Sequence, residues 1–205
     1  MSFLEQELIR AGYRRQPDVD LSQTFPEAQK DGCNFAGGES IGWNGKSLCI
    51  RYQARDANDV DCLGSGLSAT EKAAVAQPYN SGGPIFVEKL TFGAANKSLF
   101  CASSKDASQE VKQEILTGIA ALHFEFGTGP ATERKVDTYS LAANSPIRAV
   151  SYTALLQSEG KNLRDGIDNG VLAQWKSMYP NDKVTDSGEL YQIARGTVVL
   201  RNLMP

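Results

Sequence analysis

The stretch SFLEQELIRAGYRRQ at residues 2–16 decides how the rest of the chain is read. Leu4, Leu8 and Ala11 recur at i, i+4 and i+7, with Phe3 and Ile9 beside them. Glu5, Glu7, Arg10, Arg14 and Arg15 supply the polar positions. That spacing predicts an amphipathic helix with one face, Phe3, Leu4, Leu8 and Ala11, docked on a core or a partner and the other face wet. Gly12 and Pro17 close it. The helix starts at once, with no capping residue before it. The expectation is that a membrane-spanning or targeting segment belongs upstream of residue 2 and has been cut away.

Length and composition leave room for one sizeable core. The 205 residues are 41% hydrophobic and 22% charged, ordinary for a globular chain, and are read as a single domain over 1–205. No apolar run approaches the roughly 20 residues that cross a bilayer as a helix. The formal net charge is −3 and the basic residues form no long run, so duplex nucleic acid is not an expected partner.

Cys33, Cys49, Cys62 and Cys101 are separated by 16, 13 and 39 residues, with no CxxC pair and a single histidine. Zinc sites draw on close ligand pairs, whereas dispersed cysteines in even number fit disulfides formed in an oxidising compartment. Three connectivities are open, of which Cys33 with Cys49 and Cys62 with Cys101 is preferred. Each closed loop would contribute on the order of 3 to 4 kcal/mol in the chain-entropy picture.

Beyond the helix, residues 17–47 are rich in Gly, Asp, Asn and Ser and predict a long irregular connection carrying Cys33. Leu48, Ile50 and Tyr52 then alternate with Cys49, Arg51 and Gln53, as in a strand with one buried face. Segment 69–77 predicts a short helical turn. PIFVEKLTFG (84–93) and KSLFCAS (97–103) predict an antiparallel pair. From Ile119 to Phe126, one strand face would carry Ala120, Leu122, Phe124 and Phe126 and the other Ile119, Ala121, His123 and Glu125. Segment 132–144 is read as a short helix or loop, 147–158 as a central strand, 171–179 as a short helix, and 191–205 as a last strand ending near the surface. One helix followed by five or six mostly antiparallel strands is an α+β arrangement with long loops.

Chemistry is sparse. A nucleophilic triad would have to use His123, which reads instead as a side chain on the half-exposed face of a strand. No phosphate-binding or dinucleotide glycine motif occurs in its strand–helix context, and the GSG at 64–66 and GTG at 127–129 read as turns. The acidic runs 56–61, 165–170 and 181–186 offer oxygen ligands, but none matches the calcium-loop pattern. None of the 24 acidic residues stands out as a paired glycosidase carboxylate. Trp43 and Trp175 are read as loop anchors on the core. No catalytic residue, metal or cofactor is expected, and the chain is not read as an enzyme.

Several stretches, in order, resemble the minor pilins of the PilW family of type IV pili, which are related to the J-type pseudopilins of type II secretion. They are LIRAGYRRQ (8–16), GCN (32–34), LCIRYQA (48–54), DCLG (61–64), FVEKLTFG (86–93), SLFCAS (98–103), LTGIAALHFEFG (116–127), IRAVSYTALLQSEG (147–160) and IARGTVVLRN (193–202). Phe126-Gly127 stands where Tyr-Gly is usual, and the family's apolar N-terminal stretch with its peptidase site would lie upstream of residue 2. The resemblance implies a pilin-like fold in which residues 2–16 are the second half of a long helix packed on an antiparallel sheet. It implies a disulfide-bonded periplasmic or extracellular head, held at the inner membrane of a Gram-negative bacterium before assembly and later carried on the extracellular pilus. Its partners would be other minor pilins, the major pilin and a tip adhesin. The role would be to prime assembly within a tip complex, in the service of adhesion, twitching motility or protein transport. A J-type pseudopilin, or a secreted binding domain or hydrolase using the acidic loops, are the other readings left open.

Overall fold

The computed structural model describes residues 2–30, 32–77, 79, 82–104, 112–130, 132–143, 146–160, 163, 170–186 and 188–204. Helix α1 (Ser2–Arg10) leads into the short α2 (Leu21–Thr24) and strands β1 (Ala28–Lys30), β2 (Cys33–Phe35), β3 (Ile41–Trp43) and β4 (Ser47–Gln53). Then come α3 (Ala69–Ala74), β5 (Ile85–Gly93), β6 (Ser98–Ser103), β7 (Gln113–Leu116) and β8 (Ile119–Thr128). The chain closes with β9 (Thr138–Ser140), β10 (Ile147–Gln157), α4 (Gly170–Met178), β11 (Tyr191–Val199) and a 3-10 turn at Arg201–Leu203. All named strand pairs are antiparallel. They form a β1–β2 ribbon, a five-stranded sheet in the order β3-β4-β5-β6-β7 and a four-stranded sheet in the order β11-β10-β8-β9.

The two large sheets face each other across the main core. Leu48, Ile50 and Tyr52 of β4 and Phe86 and Leu90 of β5 meet Phe124 and Phe126 of β8 and Val150 and Tyr152 of β10, and α1 inserts Leu4, Leu8 and Ala11 among them. Trp43 bridges the sheets, its ring 5.7 Å from Phe124 edge-on and 5.8 Å from Phe126. These paired ring contacts fix β3 over β8.

The helix ends earlier than residue 16. Gly12 takes a φ of +73°, open to glycine at little cost, and a Cβ there would collide with Leu203. The chain then turns to extend the five-stranded sheet. Gly12 donates its N–H to the Arg51 carbonyl at 2.9 Å, and Tyr13 accepts from Gln53 N–H at 2.9 Å.

Residues 17–47 are more ordered than a loop reading allows, holding α2 and three short strands. The reason lies in β4, buried on both faces rather than one. Its outer side carries Cys49, bonded to Cys33, and the guanidinium of Arg51, only 1% exposed. Arg51 donates to the carbonyls of Phe25, Pro26, Ala36 and Glu39 and lies over the rings of Phe25 and Phe35. One cation thus replaces the hydrogen bonds that a sheet would give that segment. Burial lowers its pKa to about 10, and it stays charged.

The outer face of the four-stranded sheet is covered by α4, where Trp175 and Leu172 pack on Ala121 and Leu155. A register shift opposite Leu155 and Leu156 moves Ile119 into the main core with Phe124 and Phe126, so the simple alternation expected for β8 breaks there. Segment 132–144 supplies the edge strand β9 where a helix or loop was expected, and Gly127 and Thr128 belong to β8 rather than to a turn. Eleven strands are present among the described residues, against five or six expected, because short pairings lack a periodic signal of their own. The last strand ends at the surface with Val199 48% exposed, as expected, but the turn after it is anchored in the core. Leu200 is fully buried, Leu203 nearly so, and Arg148 holds the Leu203 carbonyl.

Replacing Arg51 with Leu removes a donor from four carbonyls of residues 25–39, of which Phe25 and Ala36 keep a backbone N–H partner. The expected cost is about 3 kcal/mol or more in denaturant unfolding, with both disulfides still formed.

Candidate assembly interface

The place where α1 enters the head gathers the chain's most unusual electrostatics. Leu4, Leu8 and Ala11 are each 0% exposed, and Phe3 packs partly buried at the same core. The opposite face is not simply wet. Glu7 is buried and pairs with Arg10 at 3.0 Å; Arg10 also pairs with Asp59 at 3.0 Å, donates to the Val60 carbonyl and lies 4.1 Å over the Tyr52 ring. Burial works against the Arg10 charge, but Tyr52, Glu7 and Asp59 outweigh it and raise its pKa. Glu5 accepts from the Tyr152 hydroxyl, whose ionisation is pushed up first by burial and then by that bond. Arg15, just past the helix and 4% exposed, donates to the carbonyls of Arg55, Val75 and Gln77. Sequence spacing separated apolar from polar positions, but it could not show that loops 55–60 and 75–77 fold over the polar side.

Beneath this seam lies Glu88 of β5, fully buried. Its Oε1 accepts from the Tyr52 hydroxyl at 2.6 Å and from Cys62 N–H at 2.8 Å, while Oε2 has no hydrogen-bond partner among the described residues. Burial, reinforced by the nearby Glu7 charge, raises its pKa to about 8. The same burial pushes Tyr52 well above the ordinary phenol range. Glu88 also sits against the Cys62–Cys101 disulfide, with its carboxylate and both sulfurs within 4.8 Å of one another. With the sulfurs joined, only one carboxylate remains to offer a cation. Glu88 is a functional-looking residue that sequence reasoning missed; its place in FVEKLTFG, with Val87 before it and Leu90 two further on, was the available signal.

The other candidates fall elsewhere. Cys33 and Cys49 join β2 to β4, away from the helix. His123 is stacked on Tyr179 with centroids 3.9 Å apart and meets Asp182 at 2.8 Å, while Trp175 donates to the same Asp182 oxygen. That cluster pins α4 and its following loop to the sheet. In the acidic runs, Asp56 and Asp59 receive loop amides and arginines, Asp61 caps the turn at Leu63 and Ser65, and Asp186 caps Gly188. Residues 165–169 lie outside the described residues. Asp59 serves the helix seam and Asp182 the far face of the other sheet, so these two runs do not converge.

Outside the seam, α1 and β11 border an open groove of about 880 Å³ lined by Ile9, Tyr13, Val199, Arg55 and Arg201. Ile9 and Val199 are 58% and 48% exposed, and they form the apolar part of this surface. No helix among the described residues is long and apolar enough to cross a membrane.

No protein-family model matches the chain, and no curated protein matches it in sequence. Among solved structures, a type IV-like pilin from Thermus thermophilus is similar with a TM-score of 0.55 at 12% identity, over 100% of this chain and 93% of that one. A helix leading into antiparallel sheets therefore has a pilin-like counterpart over its whole length. The chain has an α+β, pilin-like fold.

A carboxyl raised to about 8 in the folded state and near 4.5 when unfolded makes the folded chain hold the extra proton between those values. The stability it adds is full below about 4.5 and disappears as pH rises through 8. It amounts to on the order of 5 kcal/mol. Thermal unfolding followed from pH 5 to 9 should show a falling melting temperature, and Glu88→Gln should flatten that slope.

Proposed function

We propose that this chain is a structural subunit of a type IV-like filament: a minor pilin whose head is residues 1–205 and whose α1 (Ser2–Arg10) is the end of its assembly helix. The observation that carries this reading is the seating of α1. Three apolar side chains are sealed between two sheets, and a buried polar network fixes the helix in rotation and depth. A helix held this firmly can transmit force from a filament core to the head. The pilin-like fold supports the same role, and so do the PilW-like stretches, which follow in order along nearly the whole chain.

In this role the protein waits at the inner membrane with its head in the periplasm. It primes assembly with other minor pilins and the major pilin and ends in a tip complex on the extracellular pilus, where it can present an adhesin. Its two disulfides suit that oxidising setting, since the Cys33–Cys49 bond shapes the 17–47 segment and the Cys62–Cys101 bond ties the loop after β4 to β6. No step of this role needs catalysis.

The genomic sequence in frame with Met1 tests it directly. A leader with a peptidase site and an apolar stretch of about 20 residues is expected upstream, and its absence would remove the reading. Affinity capture of the full-length protein from membranes should recover other pilus subunits; recovery of secretion pseudopilins instead would assign it to that machinery. Within the head, Leu8→Ala should cost about 2 to 5 kcal/mol of stability in denaturant unfolding, because the side chain belongs to the core.

A further inference from the structure

Both large sheets end in strands with an open side, and the two open sides complement each other. Among the described residues, β11 pairs only with β10 and β7 pairs only with β6. Leu200 N–H donates to the Arg148 carbonyl. Alternation along an antiparallel ladder therefore turns the backbone groups of Ile193, Arg195, Thr197 and Val199 away from β10. On the other sheet, Ser104 N–H donates to the Val87 carbonyl, so Cys101 directs its groups toward β7. Glu114, opposite Phe100, then turns its N–H and C=O outward.

The two edges belong to different sheets, β11 ending the four-stranded sheet and β7 the five-stranded one. The edges also differ in charge: β11 carries the exposed Arg195, and β7 the exposed Glu114.

Given the filament-subunit role, we propose that the β11 edge receives the β7 edge of a second copy of this chain, antiparallel, with Arg195 opposite Glu114 of that copy. In this register Thr197 meets Lys112, both with outward backbone groups, and the apolar Ile115 comes alongside Ala194. Opposite charges stand face to face on one hydrogen-bonded pair, an arrangement that stabilises a ladder. Self-pairing of β11 centred on Arg195 would instead set two arginines against each other. Because the two edges are different surfaces, the contact is heterologous, and each copy keeps one edge to offer the next. A pairing this short is weak alone and acts once assembly helices hold copies side by side. Consecutive copies, rather than a single one, then occupy the filament end.

Cross-linking tests the register. The four native cysteines are already paired, so cysteines placed at 195 and 114 report on this contact alone. A hydrogen-bonded antiparallel pair brings Cα atoms to about 5.5 Å, within reach of a disulfide. At protein concentrations on the order of millimolar, comparable to the effective concentration in an assembly, the double variant Arg195→Cys/Glu114→Cys should oxidise to a ladder of multimers. A mixture of the two single variants should give only the mixed dimer. Arg195→Glu, combined with the Lys112→Cys and Thr197→Cys reporter pair, which keeps Glu114, should lower the cross-linked yield on the order of fivefold to tenfold, and a partner bearing Glu114→Arg, mixed with Arg195→Glu, should restore association. A homodimer of Arg195→Cys alone would mean two-fold β11 pairing and would overturn the proposal, as would no product from the mixture. If the chain co-purifies with pilus subunits yet yields no mixed dimer, the edge pairing falls while the subunit role stands. A mixed dimer without co-purification has the reverse meaning.

Discussion

Everything else in the molecule is arranged around the space that Leu4, Leu8 and Ala11 fill between two diverging sheets. Two twisted sheets packed face to face leave a widening mouth, and a helix stripe of about the right width is one way to close it without exposing apolar surface. Closing it with a helix forces the polar side of that helix against loops. The seam therefore becomes a network in which Arg10 links Glu7, Asp59 and the Val60 carbonyl, with Tyr52 and Glu88 beneath. The early stop at Gly12 follows from the same constraint, since the chain must leave the helix in time to bond to Arg51 and Gln53 of β4.

A second layer depends on β4 being central. Its inner residues face the helix and its outer residues hold the 17–47 segment through one disulfide and one guanidinium. Regular elements there are three or four residues long, too short to hold themselves in place. Arg51 and Cys49 do that work from the strand side. The segment's order is thus borrowed from the sheet, and its composition gives little hint of it.

Long periodic elements were legible in the sequence. The stripe at residues 4, 8 and 11, the alternation at 48–53, the paired runs ending at Gly93 and Ser103, and the apolar run from Ile147 were all readable from spacing. What spacing cannot carry is the identity of the second neighbour. Cys49, Arg51 and Gln53 looked like a solvent face because they are not uniformly apolar, yet a polar residue satisfied by carbonyls is as buried as Ile50. Tyr139 in β9 and Ile119 near the register shift failed for another reason, because edge pairing and bulges are set by the partner strand. At the seam, the apolar neighbours of Glu88 in FVEKLTFG hint at burial, but what it meets is set by Tyr52 and Cys62, distant in sequence.

The seam's polar content also bears on what the fold is for. Apolar packing alone would hold α1, but a smooth stripe of Leu and Ala tolerates rotation and sliding by a turn. Glu5 on Tyr152 joins the helix to the four-stranded sheet and Arg10 on Asp59 joins it to the loop after β4, and each bond is satisfied in one rotation and one depth. Buried polar groups of this kind contribute less to stability than to register, and Glu88 even costs stability as pH rises. A domain that only needed to stay folded would gain by replacing them with apolar side chains. A head that must keep a fixed orientation on its helix has a physical reason to keep them.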